Sequence, residues 1–198
     1  MSASRRPYKK VAREQAQERT RDALLDAASE AFFGDHWTKA SLETLSSAAG
    51  VTKQTLLRNF GSKEGLLMQA VMRGAKQVRE QRWSAPTDDL AGMVENLLEH
   101  YESWGERSIR IGAWQVNRPQ ALAILSRAAR QIHYEWVEHA FAKWLEPLDG
   151  ERRESLRAAL IAICDVQTWW ILSHDLGLPY AQMHATLTNM LERLLAEQ

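Results

Sequence analysis

Cysteine is almost absent from this chain; Cys164 stands alone. That excludes an intramolecular disulfide and fits a reducing cytosol. Glycine and proline are also sparse, 10 and 5 in 198 residues, and aromatic or β-branched residues form no alternating runs, which leaves little room for a strand-and-turn fold. No stretch approaches the roughly 18 consecutive apolar residues of a membrane span. The basic opening, Met1-Ser-Ala-Ser-Arg-Arg-Pro, is followed by no apolar run, so it does not read as a signal peptide. The expectation is a cytoplasmic protein with no membrane partner. Phosphate-binding Gly-rich loops are missing too. The six histidines lack a two-ligand spacing on one helix face, since His133 and His139 diverge. Asp165 beside Cys164 has no histidine near it in sequence to make a nucleophile. Neither an enzyme nor a metal or other cofactor is expected.

Charge of one sign is lacking overall, with 25 Lys/Arg against 25 Asp/Glu. Its distribution is uneven. Residues 1–82 hold 15 basic and 9 acidic side chains, a balance of +6, and residues 83–198 hold 10 and 16, a balance of −6. A basic front and an acidic back suit a nucleic-acid reader joined to a separate domain. At 45% apolar and 25% charged residues, the chain can bury one or two cores without disulfides or metals.

Helical spacing dominates, and the fold class is read as all-α. Ala23, Leu24, Ala27, Ala28, Ala31 and Phe32 make one face of a helix over 19–33, with residues 9–17 either extending it or forming an arm. A short helix opens at Ser41 and closes near Gly50. A third runs from Thr52 to about Asn59, and a fourth follows Ser62. Pro86 and Asp88 mark a boundary. Beyond it the pattern predicts helices over 88–104, 108–116, 119–145 (with Pro119 at its start), 151–174 and 179–196. The domains expected are a basic arm (1–18), a three-helix head (19–66), a connecting helix and linker (67–86), and a helical bundle (87–198).

The informative stretch is 41–66. A helix-turn-helix needs a small residue where its helices cross, a turn able to take positive φ, and apolar pins to a third helix. Ser46 is the small residue, Gly50 the turn, and Leu45, Ala49, Val51 and Leu56 the pins. The second helix then presents Thr52, Lys53, Gln54, Thr55, Arg58 and Asn59, with no acid among residues 52–59. Lys53, Gln54 and Thr55, at its start, suit base reading; Ser41, Thr52, Arg58 and Lys63 suit phosphate anchoring, the first two also as helix caps. Arg5, Arg6, Lys9 and Lys10 either enter a minor groove or stay solvated.

These residues resemble the tetracycline-repressor (TetR) family. The likeness rests on Ala-Ala-Ser-Glu-Ala-Phe-Phe (27–33), Gly34 and Trp37, then on the run 41–60 and on Gly-Ser-Lys-Glu-Gly-Leu-Leu (61–67). It covers roughly the first third of the chain. It implies a helix-turn-helix head, a connecting fourth helix, and a variable regulatory domain that dimerises through the last two helices. It also implies a repressor released from double-stranded operator DNA by a small effector. Three positions depart from the family's habit: Leu57 stands where tyrosine is usual, Gln54 where a small residue or proline is common, and Asn59 where His or Tyr is common.

Seven of the eight tryptophans lie from Trp83 onward. Aromatics at helical spacing are more often core than pocket, yet helical regulatory domains bind ligands between helices lined by aromatics. Tyr101, Trp104, Trp114, His133, Trp169 and Trp170 are the ligand-binding candidates, and an apolar or aromatic ligand is expected. His133 lies on an apolar stripe with Ala129, Val137 and Phe141, and a core histidine with one satisfied hydrogen bond is its more ordinary reading. Met183, Leu187, Met190, Leu191 and Leu194 form a stripe too apolar for water and, with Trp170, are the expected homodimer interface. The competing assignment is a helical small-molecule-binding or catalytic protein whose helix-turn-helix is only structural.

Overall fold

The computed structural model describes residues 5–34, 36–113 and 120–196, excluding the side chains of 5–9, 110–113 and 120–125. Trp114 and Pro119 lie outside the described residues, as do the side chains of Arg5, Arg6 and Lys9. Every regular element among the described residues is helical. The chain divides into two compact units, with the division between Gly74 and Ala75.

In the first unit, α1 (Arg5–Phe33) buries Leu24, Leu25, Ala28 and Phe32. It takes in residues 9–17, so that segment extends the helix. Helix α2 (Leu42–Ala48) starts where the Ser41 hydroxyl accepts the Thr44 backbone N–H at 3.0 Å. The turn after it passes through Gly50, whose φ of +66° is open mainly to glycine. Helix α3 (Lys53–Phe60) begins likewise, with Thr52 Oγ1 accepting the Thr55 N–H at 3.2 Å. Leu56 and Phe60 drive its inner face against Leu24, Ala28, Leu45 and Leu66. Helix α4 (Lys63–Trp83) follows at once. Gly65 permits this tight joint, because a Cβ there would stand 2.2 Å from the Phe60 carbonyl oxygen.

The C-terminal part of α4 belongs to the second unit, so the 83–88 stretch is the turn into α5 (Leu90–Ala113). Two helices were expected over 88–116; α5 instead runs unbroken through Gly105. That glycine accommodates a neighbour, since a Cβ would meet the Trp169 ring at 2.4 Å. Helix α6 (Gln120–Ala140) stops at Phe141 before the short α7 (Ala142–Leu145). The helix expected over 151–174 is broken into α8 (Gly150–Ile163) and α9 (Val166–Trp170), which continues as a π-helical turn, Ile171–Asp175. Asp165 makes the break by accepting the Gln167 N–H at 2.8 Å, an N-cap that starts a new helix. Helix α10 (Tyr180–Ala196) completes the unit.

Segment Gly150–Asp175 has the length and mean hydropathy, 1.2 over its most apolar window, of a membrane span. Here it is interrupted at Asp165, and Leu156, Leu160, Cys164, Trp169 and Leu172 enter the core beside Leu97, Tyr101, Trp136 and Phe141.

Candidate nucleic-acid interface and a buried polar cluster

The α2–turn–α3 segment is built from opposing demands on its two faces. Leu45, Ser46, Leu56 and Phe60 are buried. Ser46 sits inside without strain because it is small and its hydroxyl donates to the Glu43 carbonyl at 3.1 Å. The Val51 N–H donates to the Ser46 carbonyl at 2.9 Å, which locks the turn. Outward, Thr52, Lys53, Gln54, Leu57 and Arg58 are exposed, and Thr55 is half-buried. Lys53 Nζ lies 2.6 Å from Glu43 Oε1, and this hydrogen bond holds the Glu43 carboxyl below its usual range. Asn59 donates its side-chain amide to the Thr55 carbonyl at 2.7 Å, turning it toward its own helix.

Lys63 differs from its expected role. Its ammonium donates to the Trp37 carbonyl at 2.5 Å and stands 4.7 Å from the centre of that indole ring. It therefore pins the α1–α2 connection to α4. Arg21 over the Phe60 ring ties α3 to α1, and Arg73 paired with Asp26 ties α4 to α1.

The sequence profile described as "Bacterial regulatory proteins, tetR family" matches residues 24–70, the span of α1's inner face, α2, α3 and early α4. In that stretch the head is similar to the tetR family. "HTH-type transcriptional regulator AlkX" of Mycobacterium tuberculosis is 26% identical over 84 residues, 42% of this chain and 40% of AlkX. Among solved structures, a tetR-family transcriptional regulator from Streptomyces coelicolor superposes with a TM-score of 0.64 at 17% identity, covering 91% of this chain and 84% of that one. NalD of Pseudomonas aeruginosa, titled the secondary repressor of the MexAB-OprM multidrug efflux pump, gives 0.57 at 23%, covering 92% and 96%. These two likenesses are of fold.

In the second unit, the expected ligand-binding residues that lie among the described residues do not form one surface. Tyr101 is buried and donates its hydroxyl to the Cys164 carbonyl at 2.7 Å; burial pushes its phenol well above the ordinary range. Trp169 is buried, with its centroid 5.9 Å from that of Tyr101. Trp170 is half-buried and stacks on His174 at 3.8 Å. Trp104 lines a cleft of about 440 Å³ with Gln81, Glu99, His100, Glu102, Ser103 and Tyr180. His133 is buried, and its Nε2 lies 3.1 Å from the Ile161 carbonyl, fixing the Nε2–H tautomer by the only donation possible there.

The stripe expected at the subunit seam needs correction. Met183, Leu187 and Leu191 are buried in their own chain's core, so they cannot cover a partner. Trp170 and Leu194 are partly buried against that core, and Met190 is exposed. Ile171 and Leu176, absent from the sequence-based set, are exposed at 48% and 60%. Ile171 opens the π-helical turn that follows α9, and Leu176 comes directly after that turn.

Sequence reasoning also missed Arg82 and His100. Arg82 is 3% exposed in the last turn of α4, where a cation complements the helix dipole. Its Cζ stands 4.0 Å from the centre of the Trp136 ring and 5.8 Å from that of Tyr101. No carboxylate among the described residues lies within ion-pair distance of it. Burial, with the nearby Arg82 charge, holds His100 at about 3 and His133 at about 4. His133 is therefore neutral at pH 7, and its 3.9 Å approach to Asp165 is not an ion pair there. A sequence signal existed for His100, which follows Met93 and Leu97 along the buried face of α5. Arg82 had none. Among the described residues, no group of three or more His, Cys, Asp or Glu side chains is placed to hold a metal.

Proposed function

We propose that this chain is a sequence-specific DNA-binding transcriptional repressor that acts as a homodimer on a palindromic operator and is released by a small ligand with an apolar or aromatic body. The observation that carries the reading is the outer face of α3. Lys53, Gln54 and Arg58 are exposed there beside Thr55 while Leu56 and Phe60 anchor the opposite face, and no acid interrupts the stretch.

Such a helix can enter a major groove, where Gln54 matches the donor–acceptor pair of adenine and Lys53 and Thr55 reach neighbouring base edges. Lys53 would exchange its exposed Glu43 partner for DNA, a small loss because surface ion pairs contribute little. Arg58, with Ser41 and Thr52 at the helix starts, would hold phosphates. The repressor sense follows the relatives, NalD being titled a repressor. Dimerisation is assigned to the C-terminal helices because Ile171, Leu176 and Met190 leave apolar surface exposed there.

Selection from randomised duplexes tests the reading. The expected result is a palindrome whose half-sites lie about one helical turn, ~34–36 Å, apart. Recovery of no preferred sequence would overturn it.

A further inference from the structure

Buried polar atoms without a partner are concentrated in one place. Seven such side-chain atoms occur among the described residues, and six belong to Gln81, Arg82, Asn96, His100 and His133. Native structures leave few such groups, and each costs free energy unless something answers it. Two of the six are Arg82 Nε and Nη2. These atoms form one edge of the guanidinium, with two parallel N–H groups spaced to meet the two oxygens of a carboxylate. The neighbouring Trp136 and Tyr101 rings stabilise the cation, and the Tyr101 hydroxyl interacts with the guanidinium, but Nε and Nη2 have no partner.

We propose that the regulatory unit binds a small organic monocarboxylate whose head group pairs side-on with Nε and Nη2 of Arg82, with His100 Nδ1 as a further donor. This rests on the effector-binding reading above and adds the charge class of the effector. A single negative charge is argued from the cluster itself. His100 and His133 are neutral at pH 7, so Arg82 supplies one positive charge. His133 spends its N–H on Ile161 and offers only a lone pair at Nδ1. Glu99 and Glu102 line the open cleft that His100 also borders, so the acid group is assigned to the buried Nδ1 atom of His100 and not to the cleft.

The test measures thermal midpoint and tryptophan fluorescence of the full chain with phenylacetate, octanoate and indole-3-acetate, each against its primary amide. At least one acid should raise the midpoint and change the emission, and its amide should do neither. Arg82→Met should weaken that acid about 30-fold or more without lowering the midpoint of the ligand-free protein, because an uncompensated buried charge is replaced by apolar atoms. If Arg82→Met fails to fold, Arg82 is structural and the proposal fails. Arg82→Lys, which keeps the charge and loses the fork, should weaken the acid about tenfold. Equal response to acids and amides, an unchanged affinity in Arg82→Met, or no response to any acid at millimolar concentration would also overturn it. Failure here is separable from failure of the regulator reading. A neutral compound that releases the chain from its selected duplex leaves the regulator standing and removes the carboxylate, whereas acid binding without any duplex binding does the reverse.

Discussion

Acidification from about pH 7 to about pH 5 should cost the second unit about 4 kcal/mol of stability, and the two buried histidines set that figure. In the unfolded chain an imidazole titrates near 6.5; folded, His100 is held at about 3 and His133 at about 4. Above pH 6.5 neither state takes up the proton, so the histidines contribute nothing to the pH dependence. Below it the unfolded chain binds protons that the folded chain refuses. Stability is therefore lost as pH falls, until the folded imidazoles also protonate near pH 4 and 3. At pH 5 each group accounts for about 2 kcal/mol. The Arg82 charge works in the same direction as burial on both, while Asp165 and the Ile161 hydrogen bond oppose it at His133. Against a typical total of ~5–15 kcal/mol, the loss is large. Urea unfolding at the two pH values, followed by tryptophan emission, reports it, since seven of the eight tryptophans lie from Trp83 onward. Glu43 and Glu135, both held below the usual carboxylate range by Lys53 and Arg79, add their loss only at lower pH. His100→Gln and His133→Gln should each remove about half of the difference. A urea midpoint that does not move between the two conditions, or a full loss surviving in both variants, would refute the reasoning.

Gly105→Ala places a Cβ 2.4 Å from the Trp169 ring and should destabilise the second unit by about 1–3 kcal/mol, read as a lower urea midpoint. Thr52→Ala removes the hydroxyl that accepts the Thr55 N–H and should cost the head about 1 kcal/mol in thermal unfolding. Arg58→Ala should weaken binding to all duplexes alike and reduce the salt slope by about 1, whereas Gln54→Ala should relax preference at one base pair by about 1–3 kcal/mol. Competition titrations at two salt concentrations separate the two effects.

The head was legible because its signals are local. Ser41 and Thr52 cap helices from within three residues, Gly50 carries the positive φ its position requires, and Leu45 on α2 and Leu56 on α3 are apolar pins that enter one core. The second unit was less so, because its decisive contacts are distant in sequence. Gly105 reads as a helix breaker until Trp169, on another helix, is seen to occupy the space it leaves. Asp165 reads as one polar residue in an apolar run; as a cap it breaks that run into two helices. The stripe of α10 announced burial but not against what, and Met183, Leu187 and Leu191 proved to serve their own core. The charge of Arg82 gave no hint of burial, since arginine is seldom buried without a partner.

Equilibrium binding of the purified chain to its selected duplex, against the same duplex with one half-site scrambled, tests the central claim most directly. The account predicts a preference of about a thousandfold or more, with affinity falling steeply as salt is raised. Equal affinity for both duplexes, or binding indifferent to salt, would contradict it.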